Sequence, residues 1–163
     1  GTGSVSHTEE VPSFLPDRFE PGTPNIPGIL GLHAALCDLE QTDMGKLHQH
    51  ELELTQYFIN GLMQMDPSES TLRAIGKHNT IERTSVVSVQ TLQTDMARVA
   101  YEMDDTYGIM TRVGLHCAPS AHKTLGTYPE GTIRFSFGPE NTHHEVDLAL
   151  HALAEITGSP YHL

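Results

Sequence analysis

Apolar and polar positions change period several times along this chain, and each change predicts an element. Ile29, Leu30, Leu32, Ala35, Leu36 and Leu39 recur at helical spacing, with Asn25 placed to cap and Pro27 in the first turn. A second helix is predicted after Thr42, on Leu47, Leu52, Leu54, Phe58, Ile59, Leu62 and Met63, ending near Asp66 and Pro67. The pattern then shortens to strands over 71–76 and 85–92, rich in Val, Ile and Thr. An amphipathic helix is predicted over 95–105, then a strand over 109–115 that Gly114 interrupts. A short helix over 119–125, an alternating strand over 132–137 and a closing helix over 143–156 complete the pattern.

Interleaving of strands and helices from residue 71 onward predicts an α/β layer with a small sheet and helices packed on it. Residues 1–28 differ: glycine and proline recur too closely for a long helix or central strand, so an extended stretch that lies on another surface is expected.

Length and composition suit an ordinary globular domain, long enough to bury a core without disulfides. The formal charge is -12, with only nine Lys plus Arg. That balance argues against nucleic acid and against an anionic membrane surface as partners. No apolar run reaches the roughly 20 residues of a membrane-spanning helix. Two cysteines are too few for a disulfide framework, so a reduced, cytoplasmic setting is expected. The chain starts at Gly1 inside a glycine-rich run, which reads as cut from something longer.

The strongest candidate chemistry lies in Arg112-Val113-Gly114-Leu115-His116-Cys117-Ala118-Pro119. Pro119 suits a first helical turn, and unpaired N–H groups there would favour a thiolate at Cys117. His116 and Arg112 would add positive charge. The competing reading makes Cys117 a small buried hydrophobe, as most free cysteines are. Cys37, among Ala34, Leu36 and Leu39, is expected in a core. Arg134 is an unusual residue inside an alternating strand; held rigidly, its guanidinium matches two carboxylate oxygens. It equally suits a solvent-facing pair with a surface Glu. Gly1-Thr2-Gly3-Ser4 has the small residues that wrap a phosphate, or is simply a loose terminus. The pairs His48/His50 and His143/His144 lack a closing ligand set at metal spacing, so no metal site is expected.

Four ordered motifs carry a resemblance. They are the glycine-rich start, Arg18-Phe19-Glu20-Pro21-Gly22-Thr23-Pro24-Asn25, the run 114–119 ending in Cys-Ala-Pro, and the Arg134 strand followed by Gly138 and Asn141-Thr142. In that order they resemble the cysteine desulfurases of the class V aminotransferase family. The resemblance implies the C-terminal part of a fold-type I, pyridoxal 5'-phosphate (PLP) enzyme acting as a homodimer. Residues 1–25 would be the tail of the large PLP-binding domain, at the dimer interface. Residues 26–45 would be an interdomain helix, and 46–163 the small C-terminal domain.

By the same resemblance Gly1, Thr2, Gly3 and Thr23 help to hold the partner's cofactor phosphate. Cys117 takes sulfur from L-cysteine as a persulfide, Arg134 binds the substrate carboxylate, and Arg112 and His116 lie near the substrate. The short run from Arg112 to Cys117 resembles members that pass sulfur to a separate acceptor protein, as in iron–sulfur cluster assembly. The family's Schiff-base lysine precedes the glycine-rich loop. Lys123, although it follows His122, is therefore not expected to be that lysine, and the chain alone is expected to be inactive. A class V aminotransferase or selenocysteine lyase fragment, or a non-enzymatic binding or assembly domain, are the competing readings.

Overall fold

The structure, a computed structural model, describes Val5, residues 7–20 and residues 22–161. It divides into two compact units, Gly1–Met44 and Gly45–Leu163.

In the first unit, backbone bonds from Arg18 to Phe14 and from Glu20 to Pro16 close a tight turn. Helix α1, Ile26–Gln41, starts where Asn25 Oδ1 accepts the Gly28 N–H at 3.1 Å, with Pro27 in its first turn. Pro27 has no N–H to lose there. No residue of α1 is buried. Cys37 is therefore only half-buried, its Sγ 3.8 Å from the His33 ring, and the core position expected for it is not found. Phe14, Leu15 and Phe19 are exposed as well.

The second unit is built on a four-stranded antiparallel sheet in the order β1-β2-β4-β3, comprising β1 Leu72–Ile75, β2 Val86–Thr91, β3 Arg112–Gly114 and β4 Thr132–Ser136. Its helices are α2 Met44–Met65, α3 Met96–Tyr107, α4 Pro119–Leu125 and α5 His143–Thr157. Asp95 caps α3 by accepting the Arg98 N–H at 2.8 Å, and Thr142 with Glu145 forms a capping box on α5.

Alternation gives the sheet two unlike faces. Leu72, Ala74, Val87, Val89, Ile133 and Phe135 point into one core with Leu54, Phe58 and Leu62 of α2, Val99 and Met103 of α3, and Val146, Leu150 and Leu153 of α5. The Phe58 and Phe135 rings lie 4.8 Å apart. At Gly61 an added Cβ would sit 2.3 Å from Leu150 Cδ1, so α2 and α5 approach closely there. The other face is polar. Its middle row, read across the register, is Ile75–Ser88–Arg134–Arg112.

The predicted elements all form. β3 is shorter than expected: it begins only at Arg112, without 109–111, and at its other end Gly114 has φ +110, outside the strand region, and ends the ladder.

Candidate functional site

The site lies on the polar face, at the β3 end of the sheet. Arg112 and Arg134 are direct cross-strand partners, so both project from the same face. Like charges placed opposite each other are unfavourable unless something anionic lies between or above them. Among the described residues no carboxylate lies within ion-pair distance of either. The Nε of Arg134 is buried and has no partner. A buried, unfilled donor on a fixed guanidinium is the feature a carboxylate ligand would satisfy.

Just beyond β3 the chain reverses in a tight turn. The Ala118 N–H donates to Leu115 O at 2.8 Å, and the two central residues, His116 and Cys117, have φ +50 and +58. Positive φ at both central positions is the signature of a type I′ turn, normally built from Gly, Asn or Asp. Two side-chain-bearing residues here place strain at this point of the fold. Cys117 is exposed at the turn, one residue before Ala118, which precedes α4; Pro119 occupies the first turn as expected.

His116 is fixed in place. Its Nε2 lies 3.1 Å from Thr132 Oγ1 on β4, and its ring centroid is 5.7 Å from that of His122. His122 is buried and lies 2.6 Å from Thr127 Oγ1. Burial first, then the charges of Arg134, His122 and Arg112, push the His116 pKa below its usual value. The positive charge expected of His116 is thus disfavoured, first by burial and then by the neighbouring charges, although a backbone hydrogen bond to Thr132 acts the other way.

Gly131 and Gly114 make this arrangement possible. Gly131 has φ +84, and a Cβ there would lie 2.3 Å from the carbonyl carbon and oxygen of Gly114. Only a residue without Cβ lets β4 begin this close to the turn that carries Cys117. Gly131 O also accepts from Gln90 Nε2, while Gln90 Oε1 accepts from Arg73.

Beside the turn is a cavity of about 510 Å³, bounded by Ser88 and Thr132 on the sheet, His116 and His122 near α4, and Arg83 on the 76–84 loop. Arg83 donates to the carbonyls of Lys77 and Ile75, so it fastens that loop.

Gly1, Thr2 and Gly3 lie outside the described residues. Thr23 is exposed beside a cavity of about 490 Å³ lined by Glu20, Gly22, Pro24, Ile26 and Ile29, a set with no cation. Lys123 Nζ lies 5.0 Å from the Tyr128 ring, on the exposed side of α4, and Lys77 is paired with Glu82 at 2.8 Å. Among the described residues there is no group of three potential metal ligands, and no helix long and apolar enough to cross a membrane.

Thr132, Gly131 and the His122–Thr127 pair were not singled out from the sequence. The parts of Thr132 and Gly131 come from cross-strand register, which leaves no local signal, whereas His122 and Thr127 meet locally across the C-terminal end of α4.

The fold is that of an α/β module of the fold-type I kind. The aminotransferase class-V family matches residues 2–149, and the chain belongs to that PLP-dependent family. A probable cysteine desulfurase from Staphylococcus epidermidis is 33% identical over 151 residues, covering 93% of this chain and 35% of its own length. One from Pyrococcus abyssi is 34% identical over 144 residues, covering 88% and 34%. Among solved structures, the apo cysteine desulfurase of Thermococcus onnurineus NA1 superposes with a TM-score of 0.75 at 34% identity, over 88% of this chain and 34% of that one. The cysteine desulfurase CsdA of Escherichia coli gives 0.65 at 26% identity, over 86% and 32%. The chain spans about a third of the length of the relatives it matches.

Proposed function

We propose that this chain is the sulfur-accepting part of a PLP-dependent cysteine desulfurase. The observation that carries the reading is the Arg112–Arg134 pair, without a carboxylate, on the sheet face next to the strained turn of Cys117. Arg134, on the inner strand, binds the carboxylate of L-cysteine through its fork; Arg112, on the edge strand, adds a second cation. Cys117 receives the substrate sulfur. Overall, the substrate Cβ–S bond breaks, an S–S bond forms on Cys117, and the proton released ends on Cβ, giving L-alanine and a Cys117 persulfide. The electron sink for this exchange would be supplied by PLP.

In this reading residues 1–25 belong to the large domain, 26–45 bridge the domains, and 46–163 form the small domain. Gly1, Thr2, Gly3 and Thr23 serve a partner's cofactor phosphate in a homodimer. The persulfide on an exposed turn is suited to collection by a separate acceptor protein, and the setting is cytoplasmic.

The test is sulfide release from L-cysteine by a full-length enzyme carrying this chain. Cys117→Ala abolishes release, and Arg134→Lys raises KM at least tenfold. Turnover that survives Cys117→Ala unchanged points instead to an aminotransferase and overturns the persulfide role. With the chain alone, added PLP gives no stable aldimine absorbance; a band removed by Lys123→Ala contradicts the placement of the lysine elsewhere.

A further inference from the structure

We infer that His116 is a positioning residue for Cys117, and that it acts through the hydroxyl of Thr132. The inference rests on Cys117 being the sulfur-accepting thiol proposed above, but its test needs no substrate.

The 115–118 turn lacks the usual means of staying left-handed. Neither central residue is Gly, Asn or Asp, and His116 and Cys117 both carry a Cβ at positive φ. Ala118 offers no side-chain cap to the helix that follows. The one backbone bond that closes the turn, Ala118 N–H to Leu115 O, is compatible with several turn types and does not by itself select this one. Something else must hold the pair.

Thr132 supplies it. Its backbone is in register with Gly114, immediately before the turn, and its side-chain oxygen meets His116 Nε2 inside the turn at 3.1 Å. Two fixings to one residue of an inner strand, two positions apart in sequence, set both where the turn begins and how far it rotates. Thr132 is 1% exposed, so this bond is shielded from competing water.

The ring also packs near His122, 5.7 Å away between centroids, which is itself tied to Thr127. Arg134 from β4, Arg112 from β3 and His122 from α4 are the charged or titratable groups facing the ring. All three disfavour a second proton on it, and Nδ1 is buried with no partner. Released from Thr132, His116 and Cys117 would return to the commoner negative φ, and the thiol would move with the backbone that carries it.

The test is NMR on the uniformly labelled full chain, in which Cα and Cβ shifts and the HN–Hα coupling report φ at 116 and 117. The parent chain shows the left-handed signature at both. Thr132→Val, which keeps shape and strand propensity but loses the hydroxyl, loses that signature at Cys117 while the α5 resonances stay fixed. Thr132→Ser restores it. If Cys117 remains left-handed in a folded Thr132→Val chain, the inference is wrong. If that variant does not fold, His116→Phe, which keeps the ring packing but removes the nitrogen, decides by the same criterion. The desulfurase reading stands or falls separately, on sulfide release.

Discussion

Replacing Gly131 by alanine isolates the contact on which the site's geometry depends. The new Cβ would lie 2.3 Å from the Gly114 carbonyl carbon and oxygen. Ordinary carbon contacts are about 3.5 Å or longer, so β3 and β4 must separate by roughly 1 Å. Overpacking of that kind costs about 1–3 kcal/mol. A Cβ at φ +84 adds about 1–2 kcal/mol, partly offset by the reduced freedom of the unfolded chain, about 0.5 kcal/mol. The net loss is about 3 kcal/mol. With a urea slope of about 1.5 kcal/mol/M, the unfolding midpoint falls by about 2 M.

Gly126→Ala is the internal control. Gly126 also has a left-handed φ, +70, but nothing lies within 4 Å of its Cβ direction. It carries the conformational cost alone, about 1 kcal/mol, and its midpoint falls by less than 1 M. Urea unfolding followed by circular dichroism compares the two. Equal midpoint shifts for Gly131→Ala and Gly126→Ala would refute the argument, because the close approach of β4 to Gly114 would then contribute nothing.

Other positions give further expectations. Asp66 is buried between α2 and β1; burial raises its pKa, but the N–H groups of Leu72, Thr71 and Ser70 and the hydroxyl of Ser68 outweigh this and hold it far below the usual carboxylate range. Its contribution is therefore complete above the unfolded-state pKa of about 4 and is lost as pH falls below that; urea midpoints at pH 7, 4 and 3 drop steeply in the parent and less so in Asp66→Asn. At pH 7, Asp66→Ala costs about 3 kcal/mol by the same assay, since two backbone donors lose a charged acceptor. Thr142→Ala removes the α5 cap and lowers stability by about 1 kcal/mol in the same urea assay. His116 titrates below the ordinary histidine value of about 6.5, read from its ring proton shifts. Because its folded pKa is lowered, stability falls as pH drops from about 6.5 toward that value, and His116→Gln removes this dependence.

The elements were legible because each carries a local signal. Asn25 and Pro27 open α1, the apolar spacing over 143–156 marks α5, and the alternation of 132–137 marks a strand. Arg134 and Cys117 stood out for the same reason, one as a charge inside a strand and the other as a thiol before Pro119. The structure adds facts that no window of sequence contains. That Arg112 faces Arg134, and that Thr132 lies under His116, depends on a register set between segments about twenty residues apart. The left-handed pair at 116 and 117 was hidden because neither residue type advertises positive φ. Cys37 was misread because a helical stripe states which face is apolar and not whether anything covers it.

The backbone at Cys117 has one more consequence. A residue with φ +58 is destabilising with any side chain that has a Cβ, and Gly would relieve about 1 kcal/mol. Stability and chemistry therefore pull in opposite directions at this position. Cys117→Gly is expected to unfold at higher denaturant than the parent while having lost its thiol, whereas Cys117→Ala loses the thiol with no such gain. A thiol kept where the fold would be sturdier without it is a trade-off between durability and reactivity, confined to one residue.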